Sequence, residues 1–369
     1  MRVLVAAGGT GGHLYPALAL ANYLEKEHLA QEIIWIGGKR LLEKEIVTSS
    51  GFKFLEINTR SCPRGFSWKW PFFLWNLMIS LKQCFFIFLK SRPQVVVGMG
   101  SFHSYPVITI SFLLGIPSLI CEQNLLPSLT NRTLARRATA IAISFPQTKE
   151  YFAPLLRPKI RTVGNPVRKE ILTTKRKEAS IKLNMNENKF TLLFLGGSQG
   201  ADFLNQMGIK VLQLLDREEI SPQIQSIFIV GIQSKELALH PPLLQRIKLL
   251  ILPYSSKIQY VYAMSDLVIS RSGATTLAEI TACGLPSILI PYPYATENHQ
   301  WRNAQILEKK GAALLIAQSE LKAKRLKKLI LDLINNRGIL REMSKKSRQL
   351  GKRDSTEQMA KLLISLRKN

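Results

Sequence analysis

Acidic residues are scarce in this chain: its 369 residues hold 25 aspartates and glutamates against 51 lysines and arginines, a formal net charge of +26. Such an excess asks for a polyanionic neighbour, and nucleic acid and an acidic bilayer are the candidates. The alternating aromatics of a single-strand binder are missing, as is any nucleic-acid motif, and the lysines that thicken between Lys322 and Arg353 read as the solvated face of a late helix. Nucleic acid is therefore not expected as a partner. Cysteines are few as well. Cys62, Cys84, Cys121 and Cys283 stand apart, with no C-x-x-C pair and no histidine at metal spacing, which excludes structural zinc and fits a reducing compartment. No D-x-D occurs to hold a metal on a diphosphate, so no metal or cofactor is expected. A secretory leader is not expected either, because only Arg2 precedes the first strand and no small-residue cleavage site follows. A hydrophobic fraction of 46% with ordinary glycine and proline content excludes a disordered or fibrous chain, and the length suits two domains.

What is present gathers first at the N-terminus, MRVLVAAGGTGGHLYP at 1–16. Val3–Ala7 is a short apolar run of the kind buried on both faces of a parallel sheet. The glycines at 8, 9, 11 and 12 let the chain turn tightly and admit a ligand to the main-chain N–H groups. Leu14, Ala17, Leu18, Ala21 and Leu24 recur at helical spacing, with Pro16 in the first helical turn. The unit is strand, glycine loop, helix, and such a helix N-terminus attracts phosphate or pyrophosphate. Its glycine spacing is neither that of dinucleotide folds nor that of a P-loop, and a turn that only closes a βα corner is the plain alternative. His13 argues for more, being a titratable group beside an anion cradle.

Ile33–Ile36 and Phe54–Ile57 read as further strands, and the alternation of strands and helices points to a parallel, doubly wound sheet. Residues 62–92 break the pattern with a concentration of aromatics. The stretch from Trp70 to Leu89 nears spanning length, but Asn76, Ser80, Lys82 and Gln83 interrupt it, and Asn76, Ser80 and Gln83 share one helical face. With Arg64, Lys69, Lys82, Lys90 and Arg92 beside the rings, it reads as an amphipathic helix docking on an anionic membrane surface. A helix buried in the domain core is the alternative.

Val95–Val97 and GMGSFHSYP at 98–106 supply a second glycine-bearing turn on the same sheet edge, where ligands of open sheets gather. A later strand ends in Glu122, Gln123 and Asn124, which face a site or cap a turn. After Ala140–Ser144 a proline-rich stretch leads to RTVGNPVR at 161–168, whose Gly164 and Pro166 mark the domain boundary. The second half opens as the first did, with Thr191–Leu195 and then GGSQGA at 196–201, where Ser198 adds a hydroxyl to the cradle. Strands at Ser226–Val230 and Leu249–Leu252 precede residues 266–293, which read as strand, turn at Gly273, helix, Gly284 as C-cap, and strand. Glu279 within that helix is placed to take two hydroxyls of a ribose, against the plainer reading of an exposed helix glutamate. Asn298, His299, Gln300 and Asn303 open another helix with groups suited to a sugar.

GGTGGH at 8–13, EQN at 122–124, GNPVR at 164–168, GGSQGA at 196–201, SRSGATTLAE at 270–279 and HQWRNA at 299–304, in this order along essentially the whole chain, resemble the MurG family of glycosyltransferases, within glycosyltransferase family 28. The resemblance implies an α/β fold of the GT-B type, two Rossmann-like doubly wound domains with a cleft between them. Residues 1–163 would take the acceptor and dock on the membrane, 164–350 would bind UDP-GlcNAc, and 351–369 would form a C-terminal helix returning to the first domain. The implied reaction is inverting transfer of N-acetylglucosamine from UDP-GlcNAc to the 4-hydroxyl of the N-acetylmuramyl sugar of lipid I, the undecaprenyl-diphosphate-linked muramyl peptide, forming lipid II for peptidoglycan. A peripheral place on the cytoplasmic face of the cell inner membrane is implied too, with cell-wall synthesis and division proteins as partners. Carried over residue by residue, the donor contacts fall at Thr10, Gly11, Gly12, Asn124, Arg168, Ser198, Ala274, Thr275, Thr276, Leu277, Ala278, Glu279 and Gln300. The chain departs from the family pattern at Cys121, where histidine is usual, at Ser101, His103 and Tyr105 in the second glycine loop, and at Ser255, where an apolar residue commonly packs by the base.

An inverting transfer needs a base for the attacking hydroxyl and donors for the departing diphosphate. His13 is the expected base, with Glu122 its competitor: the helix dipole disfavours imidazolium, and a nearby diphosphate favours it. The glycine-loop amides, Ser198, Arg168 and the helix start near Gly273 are the expected diphosphate donors. Three other functions compete. An NAD-linked oxidoreductase would use similar domains, but the opening glycine spacing is wrong for it. A UDP-GlcNAc 2-epimerase would not need the aromatic, cationic stretch, and a non-enzymatic membrane scaffold would leave the glycine loops idle.

Overall fold

The computed structural model describes residues 1–9, 11–60, 62–63, 68–197, 200–231, 234, 237, 240–255 and 257–367. The chain divides into two compact units, Met1–Arg168 with Asp354–Asn369, and Lys169–Arg353. The first unit runs β1 (Arg2–Ala6), α1 (Gly11–Lys26), β2 (Glu32–Gly37), α2 (Leu41–Ser49), β3 (Lys53–Glu56), α3 (Lys69–Ser91), β4 (Val95–Gly98), α4 (Ser104–Leu113), β5 (Ser118–Glu122), α5 (Leu129–Leu134), β6 (Ala140–Ile143) and β7 (Ile160–Thr162). Its strands pair in parallel in the order β3-β2-β1-β4-β5-β6-β7.

Apolar residues on both faces of the central strands are what let helices cover the sheet twice. Val3 and Val5 point into a core shared with Leu14, Ala17, Leu18, Ala21 and Leu24 of α1. Leu4 and Ala6, one residue out of phase, meet Cys84 and Phe88 of α3 and Val107, Ile108 and Ile110 of α4 on the other face. Pro16 departs from the sequence expectation. The glycines at 11 and 12 are already helical, so the proline lies inside α1 rather than in its first turn, and it has no N–H to offer the carbonyl of Gly12.

The second unit runs α6 (Lys169–Thr173), α7 (Arg176–Leu183), β8 (Phe190–Leu195), α8 (Asp202–Leu215), β9 (Ile224–Ile229), β10 (Lys248–Leu252), α9 (Ile258–Met264), β11 (Leu267–Ser270), α10 (Ala274–Cys283), β12 (Ser287–Leu289), α11 (His299–Lys309), β13 (Ala313–Leu315), α12 (Ala323–Asn335) and α13 (Arg337–Leu350). Its parallel sheet has the order β10-β9-β8-β11-β12-β13. Phe194 and Phe228 stack at 4.4 Å in its core, and α12 buries Leu326, Ile330, Leu333 and Ile334 while Lys324, Arg325 and Lys328 are exposed. The last helix, α14 (Ser355–Ser365), belongs to the first unit. Met359, Ala360 and Leu363 join the core under α1, and the hydroxyls of Ser355 and Thr356 donate to the carbonyls of Asn165 and Val167, both at 2.9 Å.

Strand order reverses between β1 and β4 in the first sheet and between β8 and β11 in the second. Crevices of doubly wound sheets open at such points, outside the carboxyl ends of the strands. In each unit a glycine loop and a second glycine-bearing turn leave the sheet there.

Candidate functional site

In the first unit the crevice is lined by the loop after β1. His13 is the third residue of α1 and is half-buried, with Gly11 and Gly12 before it. Thr10 lies outside the described residues. The loop is held from below: the N–H of Gly9, at φ +92°, donates to Oε1 of Glu43, and Arg40 donates to the Gly9 carbonyl. Glu43 is 5% exposed, and its Oε2 has no hydrogen-bond partner among the described residues.

Glu122 ends β5 and is 2% exposed. Its Oε1 accepts from the backbone N–H of Asn124 at 2.9 Å and from that residue's side-chain amide at 3.3 Å. Its Oε2 accepts from the N–H of Ser128 and from Nδ2 of Asn131, both at 2.8 Å. Such saturation makes Glu122 the organiser of the turn that carries Asn124, and it is an unfavourable setting for a base, which needs an open lone pair facing the proton it takes. Arg168, the last residue of this segment, lies 4.6 Å over the ring of Tyr15 of α1. Ser101 and His103 of the second glycine loop are buried, and Tyr105 accepts from Arg137 at 3.2 Å.

The second unit presents two loops at its own crevice. After β8 come Gly196, Gly197 and Gly200; at Gly200, φ is +87° and a Cβ would stand 2.6 Å from the carbonyl of Val230, so only glycine fits. Ser198 lies outside the described residues. After β11, Gly273 is the N-cap of α10 and has no side chain with which to cap it, and Ala274, Thr275 and Thr276 form the helix's first turn, the end of a helix that carries partial positive charge. Leu277 packs into the core and Ala278 is half-buried. Glu279 is 7% exposed, not the exposed helix glutamate of the plainer reading, and its Oε2 accepts from the hydroxyl of Tyr262 at 2.9 Å. Gln300, second in α11, accepts with Oε1 from the N–H of Tyr292 at 2.9 Å and of Ser272 at 3.3 Å. It thereby ties the loop after β11 to the loop after β12. Asn303 is fully buried, and Ser255 is half-buried.

The face of α3 forms a separate surface. Asn76, Ser80, Cys84 and Phe88 are its buried stripe, while Trp75 is 66%, Met78 64% and Phe86 57% exposed. The polar positions turn inward because Asn76 and Ser80 satisfy themselves on the helix, donating to the carbonyls of Phe72 and Leu77, and Gln83 accepts from the N–H of Asn58. A helix buried in the core, the alternative weighed from sequence, is thus not what forms. The helix is also long and apolar enough, by length and composition, to cross a membrane. Arg64 lies outside the described residues.

Comparison with known proteins decides the family. The model of the glycosyltransferase family 28 N-terminal domain matches residues 3–143, and that of the C-terminal domain matches residues 191–359. The chain belongs to glycosyltransferase family 28. It is 41% identical over 364 residues, 95% of either chain, to the UDP-N-acetylglucosamine--N-acetylmuramyl-(pentapeptide) pyrophosphoryl-undecaprenol N-acetylglucosamine transferase of Halothermothrix orenii. Among solved structures, MurG of Acinetobacter baumannii matches with a TM-score of 0.75 at 24% identity, covering 99% of each chain. A UDP-GlcNAc 2-epimerase from Neisseria meningitidis, bound to UDP-GlcNAc, matches with a TM-score of 0.66 at 14% identity, over 99% of this chain and 100% of its own. These likenesses show a fold of the GT-B type, which transferase and epimerase share, so the fold alone does not separate the two.

Family 28 motifs also contain residues the sequence reading passed over. Arg271 lies inside SRSGATTLAE, yet the expected contacts of that motif begin only at Gly273. It is 7% exposed and donates to the carbonyls of Ile290 and Pro291 at 3.0 and 3.1 Å and to Oε1 of Gln318 at 2.7 Å. Its Nε has no partner among the described residues, and burial pushes its pKa down, with Tyr292 opposing. It is a buried cation three residues before α10, bound to the strand end and loop after β12. Glu43 gave no signal at all, since its partner lies 34 residues away.

Proposed function

We propose that this chain transfers N-acetylglucosamine from UDP-GlcNAc to the 4-hydroxyl of the N-acetylmuramyl sugar of lipid I, forming lipid II, with inversion at the anomeric carbon. The observation that carries the reading is the pair of chemical settings, one in each unit. A helix that starts at a glycine turn, with a buried carboxylate about a turn and a half on, suits a nucleotide diphosphate and its ribose, and a histidine at the start of α1 suits a base. The name of the Halothermothrix orenii relative supplies the substrates that fit those settings.

In this reading Glu279, oriented by Tyr262, accepts from the ribose hydroxyls, and the first-turn N–H groups of α10 take the diphosphate with Arg271 behind them. Gln300, its Oε1 engaged by backbone, donates from its amide nitrogen to a sugar hydroxyl. Gly11, Gly12, Asn124, Arg168, Thr10 and Ser198 complete the donor contacts. His13 removes the proton as the acceptor oxygen bonds to the anomeric carbon, the bond from that carbon to the diphosphate breaks, and the leaving UDP carries the electron pair into the cradle of N–H groups. The exposed aromatic face of α3, with Lys69, Lys82 and Lys90, docks on the anionic cytoplasmic face of the inner membrane, where a lipid-linked acceptor is met. That helix lies on the surface in this reading rather than spanning, since its buried stripe belongs to the sheet's core.

His13→Ala tests the assignment. Turnover is expected to fall by about two to four decades while UDP-GlcNAc affinity stays near wild type. A variant that keeps its turnover, or loses donor binding instead, removes His13 from the role.

A further inference from the structure

The transfer leaves His103 unused, although its buried ring lies where several loops of the first unit meet. It belongs to the loop after β4, yet its ring meets three other loops. A Cβ on Gly8, after β1, would stand 2.7 Å from its Cδ2, and a Cβ on Gly38, after β2, would stand 2.6 Å from its Cε1. Its Nδ1 shares a hydrogen bond with Oγ1 of Thr59, after β3. In the order β3-β2-β1-β4 these are neighbouring strands, so one imidazole spans the carboxyl edge of all of them. His103 is 9% exposed, and the missing side chains of Gly8 and Gly38 make the room its ring fills. Glu43 closes the same corner from α2: its Oε2 would stand 2.6 Å from a Cβ on Gly8.

We propose that His103 is a positioning residue for the transfer, a wedge that fixes the glycine loop after β1 and so aims His13 at the acceptor hydroxyl. The inference rests on the reading of His13 as the base. A loop of glycines has no side chains with which to anchor itself, so its place is set by what packs against it. A misplacement of about 1 Å in a reacting group costs on the order of a hundredfold in rate. The wedge is also electrically quiet. Burial, with His13 and Arg40 adding to it, pushes the pKa of His103 down to about 4, so at neutral pH it sets no second positive charge beside the base. The groups that face it are His13 from α1, Arg40 and Glu43 from the β2–α2 connection and α2, and the uncharged Thr59 from the loop after β3.

Variants of the whole chain test this with radiolabelled UDP-GlcNAc and lipid I. His103→Ala removes ring and hydrogen bond, His103→Asn keeps a partner for Thr59, and Thr59→Val removes the hydrogen bond with little change of shape. The expected result is a kcat lowered about tenfold to hundredfold in His103→Ala, partly restored in His103→Asn and lowered a few-fold in Thr59→Val, with KM for UDP-GlcNAc within about twofold throughout. Unchanged kcat in Thr59→Val and in whichever His103 variant folds overturns the proposal, as does a loss confined to the KM for UDP-GlcNAc. A histidine-ring NMR titration provides a readout besides turnover. His13→Gln is expected to raise the midpoint of His103, because one of the charges that presses it down is gone; an unmoved midpoint overturns the proposal. A wild-type chain with the coupled titration but no transfer brings down the reading of function and this proposal with it. Transfer without coupling brings down the wedge alone.

Discussion

The buried hydroxyl of Tyr262 in α9 donates to Oε2 of Glu279 in α10 at 2.9 Å. A carboxylate 7% exposed keeps its charge at a bearable cost when donors surround it, and Tyr262 is one that also fixes its rotamer. If Glu279 reads the ribose, Glu279→Ala is expected to weaken UDP binding by about 1.5–3 kcal/mol, roughly one to two decades. Tyr262→Phe is expected to weaken it less and in the same direction. Calorimetric titration with UDP checks both, and unchanged affinity in Glu279→Ala rejects the assignment.

Acid should weaken the first unit through His103. The unfolded chain takes up this proton near pH 6.5 and the folded one only near pH 4, so the contribution to stability is complete above about pH 6.5 and lost as pH falls towards 4. Between pH 7 and 4.5 the loss from this residue is roughly 2–3 kcal/mol. Urea unfolding of wild type and His103→Asn at both values checks it. The wild type is expected to lose more than the variant, and equal losses exclude His103 as the source.

The face of α3 makes a different prediction. Trp75, Met78 and Phe86 are already exposed, so replacing all of them with serine is expected to leave the melting temperature nearly unchanged. Binding to anionic vesicles is expected to fall by at least about tenfold, given the apolar area removed. Turnover of a water-soluble acceptor should persist. A triple variant that unfolds, or that binds vesicles as before, contradicts the docking surface.

Much of this architecture is legible in local sequence. Val3–Ala7 and Thr191–Leu195 announce buried strands by unbroken apolar runs, and the glycines after them mark both crevices. The three-residue strands β7 and β13 escape notice, because Ile160–Thr162 and Ala313–Leu315 are too short to show a period, and β7 borders residues that read as linker. Pro16 misleads because the helix starts within the glycines, which composition alone would not suggest. The inward turn of Asn76 and Ser80 is hidden for a related reason: on a helix whose carbonyls accept from its own side chains, polarity does not say which face meets water. The clamp of Glu43 on Gly9 and the reach of His103 to Gly8, Gly38 and Thr59 are tertiary. No spacing in the chain encodes them, and they hold the glycine loop that leads to His13, the residue that the sequence offers first as the base.

The central claim is tested most directly by incubating the wild-type chain with radiolabelled UDP-GlcNAc and lipid I in anionic vesicles and following where the label goes. The account predicts label in a lipid-linked disaccharide, with UDP released in equal amount, and at least about a hundredfold less of it with His13→Ala. Label recovered as an epimerised nucleotide sugar, or left on UDP-GlcNAc while the protein binds the vesicles, would contradict it.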